Sequence, residues 1–178
     1  MTKDKKLSPE GVVKSFKDEF KTKVKDAKIK RHAAGSKKNE SATIWMKVDK
    51  SVFKKVVKHL IDLQFPHLAV VSGNDLGKTI ELIYHFTLNY DTRLDEITLN
   101  ISVDLPKSKP ETESICDLIP GALVTEREKQ EMLGVRIKDI PVDKRLFLPD
   151  DFPEGVYPWR RDETGPEKMY RNLHEVKK

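Results

Sequence analysis

Between residues 8 and 28, Val12, Phe16, Phe20 and Val24 recur every fourth position, Val13 and Ala27 widen the stripe, and lysines fill the opposite side. That spacing predicts an amphipathic helix to about residue 28. Ser8 serves as its cap, with Pro9 tolerated in the first turn. Residues 35–41, rich in Gly, Ser and Asn, read as a turn between two short extended segments, the second carrying Ile44, Met46 and Val48 on one side, as in a hairpin. From Asp49 the period changes, and Val52, Phe53, Val56, Val57, Leu60 and Ile61 mark a second helix ending near Pro66. Leu68, Val70 and Val71 predict a short apolar strand, followed by a turn over residues 73–77. Ile80, Leu82, Tyr84, Phe86 and Leu88 then alternate with mostly polar neighbours, and after a turn at 91–95 so do Ile97, Leu99, Ile101, Val103 and Leu105. Such alternation belongs to strands with one buried face.

These elements predict an α+β fold, an antiparallel meander covered on one face by helices. Residues 106–110, bounded by two prolines, break the sheet. Residues 111–117 read as a short helix, and Pro120 opens another that runs to about Leu133 and stops at Gly134. Beyond it, five prolines and little periodicity predict an extended arm. The organisation is a core domain over 1–110 with a basic amino-terminal helix, a helical segment over 111–135, and a partner-binding arm over 136–178.

Composition narrows the function classes. The 178 residues suffice for one domain with an appendage. Cys116 is the only cysteine, and His32, His59, His67, His85 and His174 are scattered, so no cofactor or metal is expected in this chain. No apolar run approaches the roughly 20 residues that cross a bilayer, and no secretory signal is read at the amino terminus, so a cytoplasmic location is expected. Lysine and glutamate far outnumber asparagine and glutamine, the balance reported for proteins of hot environments. Residues 1–38 hold 13 Lys and Arg against 5 acids, and residues 39–178 hold 21 against 24, so the net charge of +5 resides at the amino terminus. A basic segment suits RNA, anionic lipid or an acidic partner, and also suits a solvated helix face. The strands lack the basic, glycine and aromatic run that stacks bases, so nucleic acid is not expected as a partner and RNA binding is the alternative from another class. No nucleophile and base, phosphate loop or carboxylate pair stands out, so no active site is expected.

Glu126, Arg127 and Glu128 lie about 100° apart on a helix, so their heads diverge and cannot form one catalytic cluster. Arg127 is expected to reach Glu131 one turn on. In the arm, Tyr157, Trp159 and Tyr170 offer amphipathic contacts and Arg160 and Arg161 offer forked donors, residue types enriched at interfaces.

Residues 114–135, with Glu126-Arg127-Glu128 at their centre, resemble the 30 kDa subunit of complex I, a family also represented in membrane-bound [NiFe] hydrogenases and related reductases. The likeness continues through Pro141, Lys144, Arg145 and Leu146, then residues 148–152, then Pro158, Trp159, Arg160 and Arg161, and covers about residues 8–165. Glu131 stands where aspartate is usual, Ile140 where histidine is usual, and Val124 and Thr125 where an aromatic is usual. These departures imply a branch away from respiratory NADH dehydrogenase, towards the hydrogenase-type assemblies. The resemblance implies a non-catalytic peripheral-arm subunit of a ferredoxin-linked, ion-translocating hydrogenase or related reductase. It would scaffold a hydrogenase-like large subunit and an iron-sulfur small subunit, which would carry the [NiFe] site and iron-sulfur clusters. The equivalent 30 kDa subunit of an NADH or deazaflavin-type dehydrogenase is the alternative. Membrane association would be indirect, at the cytoplasmic face. The interface residues implied are Glu126, Arg127, Glu128, Glu131, Gly134, Pro141, Arg145, Trp159, Arg160 and Arg161.

Overall fold

The computed structural model describes residues 6–34, 39–90, 95–142 and 144–166. The turns expected at 35–41 and 91–95 lie largely outside these residues, as do Tyr170 and the end of the arm. Helix α1 (Pro9–Phe20) is capped by Ser8, whose Oγ accepts from the Gly11 N–H at 3.1 Å. It stops at Phe20 rather than near residue 28. Lys21 adopts a left-handed φ of 47°, and a single 3-10 turn leads into strand β1 (Val24–Ala34). Val24 continues the four-residue spacing because it is buried opposite Val48 as the first strand residue, not as a further helical turn.

Strand β2 (Asn39–Val48) pairs antiparallel with β1. Helix α2 (Phe53–Leu63) follows, with Phe53, Val56, Val57 and Leu60 buried. Strands β3 (His67–Asp75), β4 (Thr79–Leu88) and β5 (Ile97–Pro106) complete a five-stranded sheet in the order β1-β2-β5-β4-β3. The α+β class and the mostly antiparallel sheet are as expected. One pairing departs from a meander: β2 and β5 run parallel, because α2 and the β3–β4 hairpin intervene before the chain returns beside β2. Strand β3 extends through Gly73 to Asp75, so the expected turn is shifted to residues 76–78, with Gly77 at φ 85°.

The even positions of β4, the odd positions of β5 and the helices' apolar stripes form one core on one side of the sheet. Residues 111–117 are not a helix. Strand β6 (Glu111–Glu113) pairs in parallel with β7 (Arg136–Lys138), and the Ser114 hydroxyl is committed to the Cys116 N–H and to a buried carboxylate, which a helical turn would not allow. Between these strands runs α3 (Ala122–Leu133), ended by Gly134 at φ 63°. It lies over β3 at the one place where that strand lacks a side chain, since a Cβ on Gly73 would collide with Leu133 Cδ1. Gly73→Ala is therefore expected to lower stability by about 1–3 kcal/mol, read as a reduced denaturant midpoint with an unchanged slope.

Candidate interaction site on helix α3 and the arm

The inner stripe of α3 is Ala122, Glu126, Lys129 and Leu133, at i, i+4, i+7 and i+11, and all four are buried. Glu126 has no exposed surface. Its carboxylate accepts from Tyr84 Oη at 3.1 Å, Ser114 Oγ at 2.6 Å, the Ile115 N–H at 3.2 Å and Cys116 Sγ at 3.3 Å. Burial pushes the Glu126 carboxyl above its usual range, against these donors, and pushes Tyr84 well up with it. The Cys116 thiol, raised chiefly by burial to about 11, stays protonated and serves as a donor. Glu126 therefore offers no surface to another protein and instead anchors α3 to β4 and to the segment after β6.

Lys129 is almost fully buried, pairs with the neighbouring Glu128, and lies 4.6 Å from the centre of the Trp159 ring. Arg127 and Glu131 point to a different side, and they do not pair with each other as expected. The Arg127 guanidinium donates to the carbonyls of Lys144 and Arg145. Glu131 accepts from the N–H groups of Leu146 at 2.6 Å and of Phe147 and Leu148 at 2.8 Å. Arg145 then clasps the following loop, donating to the carbonyls of Pro149 at 3.0 Å and Phe152 at 2.7 Å. These side chains, with Pro153 and Tyr157, line an open cavity of about 370 Å³. The interlock arises because each head group seeks its own partner, and the arm offers backbone groups that no regular structure satisfies.

The arm also finishes the helix. The orphan carbonyls of Met132 and Leu133 accept from the Trp159 N–H at 3.0 Å and Arg160 Nε at 2.8 Å. The Tyr157 ring lies on Gly134 so closely that any Cβ there would overlap it, and the Arg160 guanidinium stacks on that ring at 4.8 Å. Gly134 thus supplies both a left-handed cap and a platform. Arg161 contributes its backbone N–H, 2.9 Å from Asp75 Oδ2, while its side chain is exposed. Pro141 is exposed and apart from this network.

Several residues of the site carried no sequence signal. Lys107 bridges Asp75, at 2.7 Å, and Asp162, fastening the arm to the β3 and β5 ends. Asp75 belongs to a stretch that reads as a turn, and Lys129 reads as a surface lysine. The one available clue was that Lys129 lies three residues from Glu126 and four from Leu133, on one helical stripe.

Two experiments separate the anchor from the clamp. Glu126→Ala strands the Tyr84, Ser114 and Ile115 donors in the core and is expected to cost roughly 3 kcal/mol or more in chemical denaturation. Glu131→Ala frees the three arm amides and is expected to leave that transition within about 1 kcal/mol, while tryptic cleavage after Lys144 or Arg145 quickens roughly tenfold. The arm's other attachment is pH-dependent. Burial opposes ionisation of Asp162, but Lys107 and the Thr164 hydroxyl and N–H outweigh it and hold the carboxyl at about 2, below its ordinary 3.8. Because folding lowers this pKa, the contribution is complete above about pH 4 and is lost as pH falls through about 2. Pepsin cleavage within residues 157–166 should quicken across that window, and Asp162→Asn should be cleaved quickly already at its upper end.

The region so built falls within a match to a known family. Residues 46–169 match the family described as respiratory-chain NADH dehydrogenase, 30 kDa subunit. Membrane-bound hydrogenase subunit beta of Pyrococcus furiosus is 37% identical over 131 residues, 72% of this chain and 75% of that protein. A subunit of the F(420)H(2) dehydrogenase of Methanosarcina mazei is 39% identical over 130 residues, 71% and 79% of the two chains. A chain in the solved structure of the membrane-bound sulfane sulfur reductase, an archaeal respiratory membrane complex, shares the fold with a TM-score of 0.72 at 18% identity, covering 95% of this chain and 92% of that one. The match runs from β2 through α3 into the arm and includes every element that carries the resemblance seen in residues 114–161. The chain belongs to the family of the 30 kDa subunit of respiratory-chain NADH dehydrogenase.

Proposed function

We propose that this chain is a peripheral, non-catalytic subunit of a complex I-like membrane-bound hydrogenase or related ferredoxin-linked reductase. It docks a hydrogenase-like large subunit through α3 and the arm. One observation carries the docking surface. Arg127, Glu131 and Arg145 hold the arm's backbone by its N–H and carbonyl groups, while Leu146 and Phe147 stay 48% and 44% exposed. Trp159, 43% exposed, is a further apolar side chain that the arm presents. A loop ordered at such cost with its apolar side chains turned outward is a preorganised contact, because ordering usually has to be met when a partner binds. The relatives named as subunits of a hydrogenase and of an F(420)H(2) dehydrogenase support this role. The second of them, the more identical over its aligned stretch, favours a deazaflavin-type dehydrogenase as the alternative assembly.

In this reading the [NiFe] site and iron-sulfur clusters belong to partner subunits. The described residues hold no group of three or more His, Cys, Asp or Glu able to take a metal. No helix among them is long and apolar enough to cross a membrane, which suits attachment through the complex at its cytoplasmic face.

Purification of the tagged chain from detergent-solubilised membranes should bring down a hydrogenase-like large subunit and an iron-sulfur small subunit. The double variant Leu146→Glu/Phe147→Glu should lose both while keeping the wild-type denaturation midpoint. Recovery of the wild-type chain from membranes without a large subunit would reject the assignment.

A further inference from the structure

The side of the sheet away from the helices carries a second site that the docking surface does not use. Across β2, β5, β4 and β3 runs a row of side chains, each fixed by the next. Trp45 meets His85 edge-on, ring centres 6.5 Å apart at 88°. His85 Nδ1 lies 2.7 Å from Asn100 Oδ1, and His85 Nε2 lies 2.8 Å from Ser72 Oγ. Since Asn100 Oδ1 only accepts, Nδ1 carries the hydrogen, and in the neutral ring Nε2 accepts from the Ser72 hydroxyl. Asn100 is 2% exposed although it faces away from the core, so Trp45 rests on a buried polar support. Trp45 itself remains 37% exposed.

Beside Trp45 is a shallow cavity of about 300 Å³ lined by Asp26, Lys28, Lys30, Lys47 and Ser102. A bulge in β1 between Lys25 and Lys28, with Asp26 at φ 50°, opens it. Lys28 stands directly across from Trp45, and Lys30 across from Thr43. Lys47 is neutralised by Asp104 at 2.6 Å, whereas Lys28 and Lys30 have no ion-pair partner among the described residues. Lysines on an edge strand ordinarily serve to discourage strand-to-strand association. That role needs neither a concavity nor an aromatic ring locked in place from behind.

We propose that this cavity docks an acidic, partly apolar segment of a partner protein, with one or two carboxylates on Lys28 and Lys30 and an apolar side chain against Trp45. Rigid strands supply the geometry and the His85 row supplies the support that precise recognition needs. The fit is to short acidic side chains rather than to a polyphosphate strand. Asp26 borders the lysines and opposes a continuous line of negative charge, while single carboxylates reach the ammonium groups of Lys28 and Lys30 beside it. The proposal stands on the sheet face alone and does not rest on the docking role of α3.

The test uses the intact complex purified through the tagged chain. A water-soluble carbodiimide joins ammonium groups to carboxylates only when they are in ion-pair contact. Mass spectrometry is expected to find Lys28 or Lys30 bonded to Asp or Glu of another protein. Acetylation of both lysines by an N-hydroxysuccinimide ester should fall roughly tenfold relative to the isolated chain. Lys28→Glu/Lys30→Glu, both exposed, should abolish the cross-links without changing the chain's denaturation midpoint. Lysines equally reactive in complex and isolated chain would overturn the proposal. So would protection that is lost on ribonuclease treatment or on removal of lipid. A large subunit recovered with both lysines unlinked rejects this site and leaves the α3 docking intact. Links to another protein without a hydrogenase-like large subunit do the reverse.

Discussion

The carboxyl of Glu126 sits where an apolar side chain would normally be, and the placement of α3 depends on it. Removing such a group from water costs several kcal/mol even after relaxation. The four donors from Tyr84, Ser114, Ile115 and Cys116 offset that cost, since each replaces a hydrogen bond that the carboxyl would otherwise make to water. The net gain is therefore small, but its angular dependence is steep. Only Ala122 and Leu133 are apolar on the inner stripe of α3, so hydrophobic burial alone would set the rotation of the helix loosely. The network admits one rotation, the one that brings both oxygens to those donors.

Once that rotation is set, the other head groups have no choice of direction. Arg127 and Glu131 project towards the arm, Lys129 lies under Trp159, and Gly134 presents its bare face to Tyr157. The arm in turn satisfies the last carbonyls of α3. Helix and arm are thus mutually dependent: the helix end is incomplete without the arm, and the arm's irregular backbone has unsatisfied groups without the helix. The Asp75, Lys107 and Asp162 cluster fixes the far end to the sheet, so the arm is held at both ends.

Most of the core was legible from periodicity. The alternation of β4 and β5 and the stripe of α2 have one dominant period each, and the structure places them as that period requires. The failures have particular causes. Val24 satisfied a helical spacing while serving as a strand residue, and the positive φ at Lys21 that ends α1 occurs at a residue type that gives no warning of it. Residues 111–117 read as helical because the commitment of Ser114 to Glu126 is a contact across 12 residues, which no local pattern contains. The inner face of α3 was hidden for the same reason: Ala, Glu, Lys and Leu do not form an apolar stripe until the partners of Glu126 and Lys129 are known. The importance of the motif was visible only through family resemblance, and its physical meaning only through long-range contacts.

That division explains how a motif of three adjacent charged residues serves as structure. On one helix, residue 126 faces the core, residue 127 faces the arm, and residue 128 neutralises a lysine that the arm's tryptophan covers. Successive positions a third of a turn apart are the shortest sequence that can address three directions. Each ionic group is there to fix one interface of a helix whose apolar surface is too small to fix itself. A helix held by directional contacts has a defined outer surface, and so does the loop it clamps. Leu146 and Phe147 are therefore presented with little freedom left to lose on burial.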